Sequence, residues 1–179
     1  SLKDNIQCDA TMHTSFRSVL GQLNWLQSRT QFHIAYSFSR CASAASKPTI
    51  GDVRALNKAV RTVRSNPVVL RFHNIKTPGR PCRILGIPDA AYRNNTDGSS
   101  QRGQTIFLAA PRERSPDTRG SLIDYESQRI KRTVLSTTVS ELYAFMKCFG
   151  TCQFLRGLWM DIFGQPAELH MRTDANNLV

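Results

Sequence analysis

Three acidic side chains in three different local settings carry the chemistry this sequence offers. Asp89 follows the apolar run of "ILGIPDAAY", Glu141 opens a helical pattern in "LSTTVSELYA", and Asp174 closes the alternating stretch "ELHMRTD". Carboxylates delivered from a strand, a helix start and a second strand make an oxygen-rich site suited to Mg²⁺ or Mn²⁺. A pair of such ions can activate a water and stabilise the leaving oxygen in phosphodiester cleavage. Each acid also has a plainer role. Asp89 fits a turn or a strand edge, and Asp174 fits a strand end. Thr138-Val-Ser-Glu141 fits a capping box, in which the carboxylate serves a backbone N–H at a helix start. Small Ala90 and Ala91 after Asp89 leave room for ions and a nucleic-acid backbone. Asp97, in a turn, and Asp124, in mid-strand, are weaker candidates.

The elements that must position these acids lie in the second half of the chain. Apolar runs and turn residues predict strands at Cys82 to Tyr92, Gln104 to Ala110 and Ser121 to Ser127. "NNTDGSS" makes a turn, and the charged, proline-containing "PRERSPDTRG" makes a longer loop. Two helical segments follow, Val139 to Phe149 and Thr151 to Phe163, the second ended by Gly164-Gln-Pro166. In "ELHMRTD", Leu169, Met171 and Thr173 face one way, and His170, Arg172 and Asp174 the other. The first half reads as helical. Ser15 caps a helix to about Ser28, a second runs from Phe32 to Ser43, and a third from Gly51 to Ser65 before Asn66-Pro67. "KTPGRP" (Lys76 to Pro81) is the linker candidate. The expected class is mixed α/β: a helical segment over 1–80, then a domain over 81–179 with three strands, helices and a final strand.

Charge is divided unevenly over the 179 residues. The formal net charge is +11, and residues 1–80 hold 12 Lys/Arg against 3 Asp/Glu, while residues 81–179 hold 12 against 10. A polyanion-gripping half followed by an acid-bearing half has this distribution, as does a basic protein kept soluble by its charge. On the third helix Val53, Leu56, Val60 and Val63 form an apolar stripe, and Arg54, Lys58, Arg61 and Arg64 a cationic one. Four cations on one side can follow a phosphate backbone or simply face solvent. The cysteines (Cys8, Cys41, Cys82, Cys148, Cys152) are odd in number and lack a Cys-x-x-Cys pair, which argues for free thiols in a reducing, intracellular compartment. Cys148 and Cys152, one helical turn apart, read as buried thiols on an apolar face rather than zinc ligands. No apolar run approaches the ~20 residues of a membrane span.

The ordered words of the chain resemble the Pol polyprotein of copia-type LTR retrotransposons, from the end of its reverse transcriptase into its ribonuclease H domain. "FRSVLGQLNWL" and "SRTQFHIAYSFSR" resemble the first stretches of that region, and "KPTIGDVRALNKAVRTVRSNP" resembles its Pro-Thr helix. "PDAAY", the Ser100/Gly103/Phe107 strand, "YES" at Tyr125 to Ser127, "LSTTVSE" and Asp174-Ala-Asn176 resemble the ribonuclease H words in the family's order. The resemblance implies a thumb- or connection-like helical segment over 1–80, followed over 81–179 by a truncated ribonuclease H-like domain whose mixed sheet has three antiparallel strands, then helices, then a parallel strand. It implies two-metal hydrolysis of the RNA strand of RNA–DNA hybrids, with Asp89, Glu141 and Asp174 holding two Mg²⁺ or Mn²⁺ ions. Asp89 would bridge the pair, and the basic helix carrying Arg54, Lys58, Arg61 and Arg64 would hold the duplex. Hybrid shape and 2′-hydroxyls, rather than base sequence, would be recognised. Implied partners are the hybrid and the remainder of the polyprotein, in cytoplasm, nucleus or a virus-like particle, with no membrane and no disulfide partner.

The chain departs from the family pattern at several positions. Ala91 stands where an Asp usually follows Ser-Asp-Ala, Tyr125 where a Trp precedes the serine, and Ile130 where a Gln is usual. The polymerase's paired palm aspartates are absent, and the expected fourth metal-site aspartate falls beyond Val179. A non-catalytic nucleic-acid-binding remnant of a decayed or truncated element is the alternative reading.

Overall fold

The computed structural model describes residues 2–75, 79–95, 97–111 and 120–174. Contacts divide the chain into two compact units, Ser1–Val69 and Leu70–Val179. Residues 76–78 of the expected linker, 112–119 of the expected loop, Thr96 of the expected turn, and Ala175 and Asn176 lie outside the described residues.

The first unit is helical, with α1 at Ala10–Arg29, α2 at Ala35–Ser43 and α3 at Ile50–Ser65. The start of α1 differs from the expected Ser15. Asp9 accepts the N–H of Met12 at 2.8 Å and so satisfies an otherwise orphaned donor one and a half turns earlier. Phe16, Leu20 and Leu23 of α1 are buried with Ile34, Cys41, Leu56 and Ala59, and Val53, Val60 and Val63 pack around them. Each fully buried Phe, Leu or Ile contributes about 1.5–3 kcal/mol. A short 3₁₀ turn, Phe32–Ile34, precedes α2, so the expected second helix is split in type rather than position. The capping box of α3 is formed by Thr49 and Asp52, with the Thr49 N–H donating to the Asp52 carboxylate at 2.9 Å.

The second unit is a four-stranded mixed sheet with one long helix, so the molecule is mixed α/β. Strands β1 (Arg83–Ala91), β2 (Gln101–Ala109) and β3 (Gly120–Arg129) are antiparallel, and β4 (Glu168–Met171) joins β1 in parallel, giving the order β3-β2-β1-β4. A parallel strand needs a crossover, and α4 (Thr137–Phe163) supplies it. The two helical segments expected on either side of Gly150 are one helix. Its outward residues are apolar too (Leu142, Met146, Phe154 and Leu158 are exposed), so periodicity alone marked no continuous face, and a glycine costing about 1 kcal/mol does not interrupt 27 residues. Gly164 ends it in the left-handed conformation at φ 64°, with its N–H on the Met160 carbonyl.

Ser140, Ala144, Cys148 and Cys152 form the buried stripe of α4, against Ile84 and Ile106 of the sheet. Gly86 is required by this approach. A Cβ there would lie 2.7 Å from Cys152 Sγ, and 2.9 Å from both Cys148 Sγ and Met171 Sδ. All five cysteines are free, and no described helix is long and apolar enough to cross a membrane. Burial pushes the Cys41 thiol up to about 11, so it is an uncharged packing group at neutral pH.

Candidate functional site

The parallel pairing of β1 with β4 sets two of the three acids. The register ends at Gly86 opposite Met171, with the Arg172 N–H on the Gly86 carbonyl at 2.9 Å. Asp89 and Asp174 each stand three residues beyond that last pair, and both are exposed. Asp89 is still inside β1, paired with Gly103 of β2, while β4 has ended before Asp174, so the two acids lie at the same end of neighbouring strands.

Glu141 enters from α4. Ser136 caps this helix by accepting the Val139 N–H at 3.2 Å, so the first turn starts ahead of the Thr138 position expected of a capping box. The Glu141 carboxylate instead accepts the backbone N–H of Ala90, the residue after Asp89. That bond crosses from helix to strand and places the glutamate beside β1. Glu141 is raised above its ordinary carboxylate range, first by burial, then by the negative charges of Asp89 and Asp174, while the Ala90 N–H opposes the rise. The structure thus brings the three sequence-predicted acids into one electrostatic neighbourhood.

Such a group fits a divalent cation chemically. Hard carboxylate oxygens from three elements repel one another, and a cation between them would reverse that repulsion. Among the described residues, no group of three or more His, Cys, Asp and Glu side chains is arranged to hold a metal ion. Mg²⁺ asks for fewer protein ligands, since it keeps several waters and takes one or two carboxylates plus substrate phosphate.

The neighbouring acids are committed elsewhere. Asp97 pairs with Arg129 at 2.6 Å and is held low, chiefly by the Ser99 hydroxyl. Asp124 accepts the Gln104 amide at 3.0 Å beneath α4, and Glu126 pairs at 2.8 Å with the buried Arg102.

The cationic residues of α3 are all exposed, but they are not equivalent. Arg54 is ion-paired with Asp4, whereas Lys58, Arg61 and Arg64 point to solvent without an ion pair among the described residues. Sequence reasoning missed a second group of cations, Arg93, Lys131 and Arg132, because Arg93 lies 38 or more residues from the other two and the net charge of the second half is small. No family model matches the chain, and no curated protein matches it.

Proposed function

We propose that the chain is part of a retrotransposon reverse transcriptase/ribonuclease H, whose second unit hydrolyses the RNA strand of RNA–DNA hybrids. One observation carries the reading: Glu141 takes the Ala90 N–H and feels the charges of Asp89 and Asp174. Three acids picked from separate words of the sequence thereby share one end of a mixed sheet. Two Mg²⁺ or Mn²⁺ ions held by Asp89, Glu141 and Asp174 would supply Lewis acidity, polarising the attacking water and the leaving 3′ oxygen.

The protein's own contribution is placement. The β1–β4 ladder ends three residues short of both Asp89 and Asp174, which would set the two carboxylates side by side, and the Ala90 N–H keeps Glu141 turned toward β1. The exposure of Asp89 and Asp174 leaves the site open to a bulky duplex. Lys58, Arg61 and Arg64 on α3 offer phosphate contacts that carry no base information, in keeping with recognition of hybrid shape.

Incubating an end-labelled RNA–DNA hybrid with the chain in Mg²⁺ tests the proposal. Shortened RNA beside intact DNA supports it. Intact RNA on a hybrid that the chain still binds would favour the non-catalytic, nucleic-acid-binding alternative.

A further inference from the structure

A single buried serine ties together two exposed segments at one end of the sheet. Ser100, 2% exposed, accepts the N–H of Arg93 on its hydroxyl at 3.0 Å and the N–H of Ile130 on its carbonyl at 2.8 Å. The residues following β1 and those following β3 are therefore held against the same residue, one by its side chain and one by its backbone. Next to this knot the Tyr92 hydroxyl donates to the Leu135 carbonyl at 3.1 Å, one residue ahead of the cap of α4. Arg93, Lys131 and Arg132 are all exposed and emerge from the two tied segments. Arg129, at the end of β3, is already neutralised by Asp97.

Arg93 is held in an unfavourable way. Its φ is 50°, the one described non-glycine residue in the left-handed region. A Cβ-bearing residue pays for that conformation, and such strain persists only where the surroundings enforce it. Here the Ser100 bond fixes the backbone, and the guanidinium lies over the Tyr92 ring, 5.3 Å from its centroid. A glycine or asparagine would fit the turn with less strain. The arginine is thus costly to the fold and presented outward, close to the carboxylates. It is the fourth residue after Asp89, at most about 13 Å away at strand rise, and a duplex carries several phosphates over that length.

We propose that Arg93, Lys131 and Arg132 form a phosphate-gripping surface for a nucleic-acid duplex, built into the same compact unit as the three acids. The ligand class rests on the nucleic-acid reading above, but the surface is independent of the α3 stripe and of catalysis. Its three cations meet the phosphate backbone, and the Ser100 knot holds the two segments that carry them together.

The test is binding of the full chain to a fluorescent RNA–DNA hybrid duplex, by anisotropy, across a salt series in EDTA. Each neutralised phosphate contributes about 0.9 to the slope of log affinity against log salt, so Lys131→Ala/Arg132→Ala should flatten the slope by ~1–2, and Arg93→Gly added to it by ~1 more. Arg93→Gly alone should raise the melting temperature while weakening binding, a pairing of signs that a merely structural arginine does not give. Wild-type binding with an unchanged slope in the double variant, which leaves Ser100 and its bonds intact, would overturn this surface alone. Failure of the wild type to bind the hybrid would overturn it together with the reading on which it rests.

Discussion

Glu141 of α4 is tied to the residue next to Asp89 of β1: the N–H of Ala90 donates to the Glu141 carboxylate, and the Asp89 charge acts on it. A glutamate placed at a helix start would ordinarily serve its own helix. This one serves a strand, and its charge is disfavoured by burial and by two neighbouring acids. Its folded-state pKa is raised, so the folded chain holds that proton more tightly than the unfolded one. Between the ordinary and the raised pKa, stability attributable to Glu141 falls as pH rises, and above the raised value the full cost remains.

Glu141→Gln should therefore melt slightly higher than wild type at neutral pH without divalent cations, because the amide oxygen still accepts the Ala90 N–H. That advantage should vanish as pH is lowered through the raised pKa toward the ordinary carboxylate value. In Mg²⁺ the order should reverse, since wild type gains stability by binding the ion and the glutamine variant does not. Melting curves over a pH series, with and without Mg²⁺, check both halves. Identical Mg²⁺ shifts in the two proteins would leave Glu141 with a structural role alone.

Asp89→Asn should lower the Glu141 pKa more than Asp174→Asn, in the order in which the two charges act on it. Carbon-13 NMR of the Glu141 carboxylate reads this directly. No change in either variant would separate the three acids.

Gly86→Ala places a methyl group within 3 Å of three sulfur atoms. Overpacking of this kind costs about 1–3 kcal/mol, and here it pushes α4 away from β1, the same approach that brings Glu141 to Ala90. Urea denaturation should show a loss in that range, and the Glu141 pKa should drop as the acids separate. A variant as stable as wild type would mean that the helix has freedom to retreat.

On α3, Lys58→Ala/Arg61→Ala/Arg64→Ala should flatten the salt dependence of hybrid binding by ~3, at about 0.9 per phosphate. Arg54→Ala should change it less, because Arg54 is paired with Asp4. Packing by Leu56 and Ala59 is untouched, and alanine favours the helix. A salt slope equal to that of wild type in the triple variant would mark the stripe as a solvated face.

Much of this architecture is legible in the sequence because local signals and packing agree. Alternating or continuous apolar runs placed the strands, and Gly164 with Pro166 marked the end of α4. Where they disagree, tertiary contacts decide. Ser15 is a sound cap residue, yet Asp9 captures the N–H first and α1 begins earlier. Thr138 and Glu141 have capping-box spacing, yet Ser136 caps the helix and Glu141 bonds a strand 51 residues away in sequence. The three acids of the candidate site are legible because each sits in a distinctive word. The Arg93, Lys131 and Arg132 group was not, since only the Ser100 bonds bring its members together. Likewise nothing local to "DVRAL" signals that Arg54 is engaged by Asp4.

The central claim, that Asp89, Glu141 and Asp174 act as one site on RNA, is tested most directly by cleavage of a labelled RNA–DNA hybrid in Mg²⁺. Asp89→Asn, Glu141→Gln and Asp174→Asn should each be compared with wild type on the same substrate. Loss of even an outer-shell partner costs a metal site ~10–100-fold, so each amide should lower the rate of RNA-strand cleavage at least that far, with DNA strands and RNA duplexes left uncut by all four proteins. Full activity in any one of the three variants would remove that residue from the site, and full activity in all three would contradict the account.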